Sequence, residues 1–253
     1  KAQGYIKDHK DEPFFLYYAL QQPHVPRTPH ERFVGETSMG PRGDVIVEAD
    51  WCIGQLVKTL EEEKLLDNTF IILSSDNGPV LNDGYVDNAA EKVGDHNPSG
   101  PFRGGKYSLF EAGTRVPFVT YWNGKIEPGI SDALVSQIDI MSSLARLTGS
   151  DIRGPDSQDM LTLFLGTDTA GRRKLIMEAG GRTALRKGNW VLIPPYPGPA
   201  VSSYVNIELG NSDIYQLYNL DQDSGQQDNI AGAHQQKLNE MIREYENIIN
   251  NNK

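Results

Sequence analysis

Two adjacent oxygen donors, Asp76 and Asn77, stand directly after the apolar run Thr69-Phe70-Ile71-Ile72-Leu73 and before the chain-reversing pair Gly78-Pro79. A carboxylate and a carboxamide at a strand tip suit a hard divalent cation such as Ca²⁺, although Asp-Asn-Gly-Pro is equally good turn chemistry. A second candidate, His24, lies between prolines in Pro23-His24-Val25-Pro26, where the backbone is restricted and the imidazole can move a proton near neutral pH. A third, Lys106, follows Gly104-Gly105, a stretch whose backbone can come close to a ligand while the lysine supplies a compact positive charge. Metal, imidazole and ammonium together suit cleavage of a tetrahedral oxyanion ester. The cations offset charge on the non-bridging oxygens, and His24 or Lys106 protonates the departing oxygen.

These groups need a scaffold that aims them at one place. Pro13 to Leu20 reads as a strand buried on both faces, hence one inside a parallel sheet. A helix is predicted from about Gly43 to Lys64, with Val45, Ala49, Ile53, Leu56 and Leu60 on one stripe and Asp44 in its first turn. A strand over 69–75 follows, which places Asp76 and Asn77 at its carboxyl end, the edge where open α/β sheets bind ligands. Val80 to Gly105 is a long irregular segment of the kind that is either functional or disordered, and within it His96 and Arg103 are candidates to contact the organic part of a substrate. A strand at 118–122 and a helix at 139–147, ended by Gly149, complete a first unit over 1–153.

From 154 to 253 the pattern changes. Short strands at 175–178, 183–186, 190–193 and 214–218 are separated by turn-rich segments, and a final helix carries Leu238, Met241, Ile242, Tyr245, Ile248 and Ile249 on one face. This predicts a small antiparallel sheet with a helix across it. Trp190, Tyr196 and Tyr204 fit either the core of that lobe or a surface on which a sugar stacks.

The 253 residues are 38% hydrophobic and 23% charged, with a formal charge of −10, which argues against a general nucleic-acid binder. No run approaches the roughly 20 apolar residues of a membrane-spanning helix. Cys52 is the sole cysteine, so neither an internal disulfide nor a multi-cysteine zinc site is available. The one Asn-x-Ser/Thr sequence, Asn97-Pro98-Ser99, carries the proline that blocks glycosylation.

Taken in order, Phe14-Phe15-Leu16-Tyr17-Tyr18-Ala19, Pro23-His24-Val25-Pro26, Asp76-Asn77-Gly78-Pro79, Gly105-Lys106 and Glu111-Ala112-Gly113-Thr114-Arg115-Val116-Pro117 closely resemble the type I, formylglycine-dependent sulfatases. That family of arylsulfatases and carbohydrate sulfatases belongs to the alkaline-phosphatase-like superfamily. The resemblance implies an α/β fold: the C-terminal part of a mixed or parallel sheet flanked by helices, plus a small antiparallel-sheet-and-helix lobe. It implies Asp76 and Asn77 as Ca²⁺ ligands, His24 and Lys106 on the sulfate group and the bridging oxygen, and a sulfate ester of a small molecule or glycan as substrate. It also implies an exported protein, periplasmic or secreted.

The chain departs from the family in lacking the Cys/Ser-x-Pro/Ala-x-Arg signature from which formylglycine is made. Cys52, followed by Ile53-Gly54, reads instead as a small core residue. The family's paired aspartates and its middle lysine and histidine are also missing. The expectation is therefore the C-terminal half of a sulfatase, inactive alone and prone to associate with itself or with the missing half. Two alternatives stay open: a phosphate or phosphonate ester hydrolase of the same superfamily, and a non-catalytic sugar-binding homologue.

Overall fold

A computed structural model describes residues 1–251. Helix α1 (Ala2–Asp8) packs on the long helix α2 (Pro41–Glu62), which opens with Pro41 in its first turn, where a missing N–H costs nothing. Asp44 lies buried in that turn and accepts the backbone N–H groups of Gly35 and Thr37, each at 2.9 Å. Burial pushes its carboxyl up, but those bonds reverse the effect and leave it below the usual carboxylate range. Along the expected stripe Val45 and Leu60 are buried, while Ala49, Ile53 and Leu56 are half-buried.

Two expectations for the first sheet are corrected. Phe14 to Leu20 forms no regular element and joins no ladder among the described residues, and Phe15 and Tyr17 are 71% and 82% exposed. An apolar run becomes a strand only where a neighbour supplies backbone partners, and none among the described residues does so. Strand β1 (Ile71–Ser74) is followed by the short helix α3 (Glu111–Thr114) and by β2 (Phe118–Tyr121). β1 and β2 pair antiparallel, Ile72 opposite Thr120, so the ladder at the Asp76–Asn77 edge is not the parallel one expected. Every ladder among the described residues is antiparallel.

Helix α4 (Asp139–Thr148) ends on Gly149, whose φ of 73° is the left-handed cap expected of it. The next segment turns back onto the β1–β2 pair. Through α5 (Leu161–Phe164) it buries Met160, Leu163 and Phe164 against Phe70, Phe118, Val135 and Ile140. Arg172 closes this stretch with a buried ion pair, its Nε 2.7 Å from Asp139 Oδ2. Met160, Leu163, Phe164 and Arg172 thus all pack against residues between 70 and 140.

The C-terminal sheet runs β3 (Lys174–Ala179), β4 (Arg182–Lys187), β5 (Trp190–Ile193) and β8 (Gln216–Asn219), side by side in that order. Gly180 and Gly181, with φ of 59° and 78°, form the two-residue turn between β3 and β4, which needs positive φ at both positions. A small hairpin, β6 (Val201–Ser202) with β7 (Ile207–Glu208), projects from the β5–β8 connection. One face of the sheet buries Leu185, Leu192 and Leu217 under Leu238 and Met241 of α6 (Gln235–Asn251), the helix expected across it. The other face buries Met177, Ala184, Val191 and Tyr218 against Leu109 and Phe110. Those two residues follow Lys106 closely in sequence. No helix among the described residues is long and apolar enough to cross a membrane.

Candidate active site

Three loops meet beside the carboxyl end of β1. The loop carrying Lys106 is fixed from behind, because Leu109 and Phe110 plug the C-terminal sheet and leave 1% and 3% of their surfaces exposed. It is also stitched to the turn after Asp76–Asn77. Lys106 N–H donates to the Pro79 carbonyl at 3.0 Å and Gly78 N–H to the Gly113 carbonyl at 2.9 Å. The fit is close enough that a Cβ on Gly78 would lie 1.7 Å from the Ala112 oxygen. Only glycine allows the two loops this approach.

The loop carrying His24 is tied in by Arg27, a residue that sequence reasoning passed over. Its buried guanidinium donates to the carbonyls of Pro23, Val80 and Leu81 and pairs with Asp87 at 2.8 Å. A charge-bearing fork with several carbonyl acceptors is one way to bury an arginine at little cost. It joins the start of the 80–105 loop to the His24 loop.

His24 and Lys106, 82 residues apart in sequence, come into direct contact, with Nζ 3.2 Å from Nε2. His24 Nδ1 lies 2.7 Å from the Val25 carbonyl, which can only accept, so the proton is assigned to Nδ1. That tautomer leaves Nε2 as an acceptor facing the lysine ammonium. The lysine in turn donates to Asp83 Oδ2 at 2.8 Å, and Asp83 Oδ1 accepts from Tyr107 OH at 3.3 Å. Burial lowers the Lys106 ammonium, but the hydrogen bond and charge of Asp83 outweigh it and leave the group above its ordinary 10.5. Asp83 is the second residue that sequence reasoning missed. It stands in Asn82-Asp83-Gly84, a triplet that reads as turn chemistry. Tyr107, beside it, has φ of 75°, an uncommon conformation for a bulky residue and the kind of local strain that collects at functional sites.

Asp76 is exposed and Asn77 half-buried at the end of β1. Asn77 Nδ2 donates to the Gly78 carbonyl, which leaves its Oδ1 uncommitted, while one Asp76 oxygen accepts the Asn77 N–H. The donor set is therefore two hard oxygens on adjacent residues, which fits Ca²⁺ in chemistry but supplies a minority of the six to eight ligands it takes. Among the described residues no group of three or more His, Cys, Asp or Glu could hold a metal. Cys52 does not fit a formylglycine position: it is half-buried inside α2, beside Tyr18.

Among the described residues neither His96 nor Arg103 makes a hydrogen bond or ion pair with His24 or Lys106. His96 is exposed on the 80–105 loop, and Arg103 is committed elsewhere. Its Nε donates to Glu208 of the small hairpin at 2.8 Å, Nη1 donates to the Gln226 carbonyl at 2.8 Å, and its guanidinium carbon stacks 4.1 Å from the Phe110 ring centre. Trp190 and Tyr196 pack against the two lobe cores. Tyr204, at the hairpin tip, is exposed, with its hydroxyl against Gly84.

The structure thus puts an ammonium and an imidazole acceptor in contact, the ammonium on a loop whose backbone is bonded to the turn that follows Asp76 and Asn77. The chain belongs to the Sulfatase family, whose model matches residues 1–150, more than half of it. It is 44% identical to the N-acetylgalactosamine-6-O-sulfatase of Bacteroides thetaiotaomicron over 98% of this chain and 49% of that protein. It is 30% identical to human arylsulfatase A over 88% of this chain and 45% of that one. A solved Bacteroides thetaiotaomicron structure, described under the metabolism of multiple glycosaminoglycans, superposes with a TM-score of 0.95 over 98% of this chain and 52% of its own. A Pseudoalteromonas sulfatase follows at 0.81, with 25% identity over 98% of this chain and 50% of that one. The chain thus spans about half the length of the relatives it matches.

Proposed function

We propose that the protein carrying this chain hydrolyses sulfate esters on carbohydrate, with a 6-O-sulfated N-acetylgalactosamine-type sugar as its substrate. The observation that carries the reading is the contact between Lys106 Nζ and His24 Nε2 in a chain 44% identical to an N-acetylgalactosamine-6-O-sulfatase. A sugar alkoxide is a poor leaving group, so cleavage at sulfur needs a proton delivered to the bridging oxygen and positive charge near the non-bridging ones. Lys106 brings the charge. It has three N–H donors, of which one meets Asp83 and one His24, so the third remains for a sulfate oxygen. Once Nε2 carries a second proton, His24 is the imidazolium that gives this proton to the leaving oxygen and returns to its Nδ1–H form. Ca²⁺ held by Asp76 and Asn77 would add Lewis-acid charge at the same group. His96, exposed on the long loop, is available to a sugar hydroxyl, and Arg103 acts through the hairpin it anchors.

The test is sulfate release by the longer protein from N-acetylgalactosamine 6-sulfate, compared with the 4-sulfate and with a phosphate monoester. The 6-sulfate should be turned over, and His24→Ala and Lys106→Ala should each lower kcat by about 10²-fold or more. Turnover of the phosphate ester alone would favour the hydrolase alternative, and no turnover at all the sugar-binding homologue. Neither result is compatible with a sulfatase.

A further inference from the structure

We propose that Asp83 is a positioning residue for this reaction: its buried carboxylate aims the Lys106 ammonium at His24 Nε2. The inference rests on the sulfatase reading for its catalytic consequence, though not for its geometry. Asp83 is 8% exposed, and both of its oxygens are engaged, Oδ2 by Lys106 Nζ at 2.8 Å and Oδ1 by Tyr107 OH at 3.3 Å. The same Oδ2 lies 3.8 Å from His24 Nε2. One carboxylate oxygen therefore lies within 3.8 Å of both members of the pair and holds the lysine nitrogen where it also meets His24.

The support extends outward. Val80 and Leu81, at the root of the Asp83 turn, are held by Arg27, which also holds Pro23 next to His24. The Tyr107 carbonyl accepts from Arg182 of the C-terminal sheet at 2.8 Å. Asp83 is thus referenced to both units of the molecule. A carboxylate placed to receive a sugar hydroxyl would present an oxygen to solvent, whereas this one is largely buried and has a protein donor on each oxygen. Its burial without Lys106 would be costly, and among the described residues the lysine pairs with no other carboxylate. The charged and titratable groups facing Lys106 are Asp83, His24 and Tyr107, whose ring centre is 5.2 Å from Nζ; the nearby Arg27 is paired with Asp87.

The test has two arms. In the 253-residue chain labelled at lysine Cε, the Lys106 resonance is assigned by its loss in Lys106→Arg and titrated by NMR. In Asp83→Asn its midpoint should fall by about one to three pH units, the usual effect of losing an adjacent opposite charge. An unchanged midpoint in a folded variant overturns the proposal. In the longer protein, Asp83→Asn should lower kcat about 10²-fold with much less change in KM, and move the alkaline limb of the pH profile to lower pH. Asp83→Glu should recover part of the rate. Wild-type kcat and pH profile in Asp83→Asn overturn the proposal as well. Should that variant fail to fold, Tyr107→Phe, which removes one of the two donors to Asp83, should give a smaller drop in the same direction, and no drop counts against the proposal. If the wild-type protein releases no sulfate, the sulfatase reading fails, while the titration still decides the positioning.

Discussion

The four-stranded C-terminal sheet and the β1–β2 pair are both built from apolar strands, yet their surroundings differ. In the larger sheet Leu185, Val191, Leu192, Ile193 and Leu217 have no exposed surface, because α6 covers one face and Leu109–Phe110 the other. In the smaller pair Phe70 and Phe118 pack inward on α5, but Leu73, Val119 and Tyr121 are 39%, 51% and 41% exposed. The His24–Lys106 pair straddles this difference. Lys106 is anchored through its own loop to the closed sheet, whereas His24 follows the unpaired segment 14–20 and is held chiefly by Arg27. The C-terminal lobe therefore holds the Lys106 side of the pair, through Leu109 and Phe110.

The substitution that tests this most severely is Phe110→Ala. Phe110 is 3% exposed and fills the sheet face beneath Lys106, with its ring edge-on to Tyr218 at 6.0 Å. Truncating a buried phenylalanine removes about 3–5 kcal/mol, read as a lower urea midpoint at unchanged slope. If Lys106 depends on the lobe, its contact with His24 should loosen in the variant while the β1–β2 region keeps its structure. A stability loss below about 1 kcal/mol would show that the loop is not a structural plug.

The sequence carried some of these features and hid others, for identifiable reasons. The C-terminal strands are legible because antiparallel hairpins are local: Gly180-Gly181 marks a turn, and the apolar runs on either side pair with each other. His24 and Lys106 are legible as chemistry because a histidine between prolines and a lysine after two glycines are unusual settings. Asp83 is not, because its role arises from three loops meeting, and Asn-Asp-Gly reads alone as a turn. Arg103 misleads in the opposite direction. In its glycine-rich loop it reads as a contact for the organic part of a substrate, and the partner that claims it, Glu208, is 105 residues away. The segment 14–20 shows that hydrophobicity can mark an extended run but cannot supply its ladder partner.

A smaller effect probes the seam between the two regions. The Arg103 hydrogen bond holds the Glu208 carboxyl below its ordinary 4.5, against a lesser opposing push from burial. A depressed folded value means that the pair stabilises the protein above the ordinary glutamate pKa and that this contribution fades as pH falls through the folded value. Glu208 is 44% exposed, so solvent screening limits the contribution to about 0.5–1 kcal/mol. Glu208→Gln should be less stable than wild type near neutral pH, and the difference should vanish on acidification below the carboxylate range. A difference independent of pH would assign the residue's role to packing.

The smallest change in folding stability is expected on the open side, where its consequence is association. Val119→Ser removes apolar surface that is half-exposed already, so chain stability should move by about 0.5 kcal/mol or less. The exposed residues Leu73, Val119 and Tyr121, together with the unpaired strand-like segment bearing Phe15 and Tyr17, nevertheless form the kind of apolar and edge surface that proteins ordinarily cover. The 253-residue chain should therefore self-associate with rising concentration, or be held by a partner that supplies the missing cover. Val119→Ser combined with Tyr17→Ser should shift its light-scattering mass toward the monomer. A monomer at all concentrations in the unsubstituted chain would show that this face needs no cover, and would remove the contrast between the open pair and the closed sheet as an account of how the site is held.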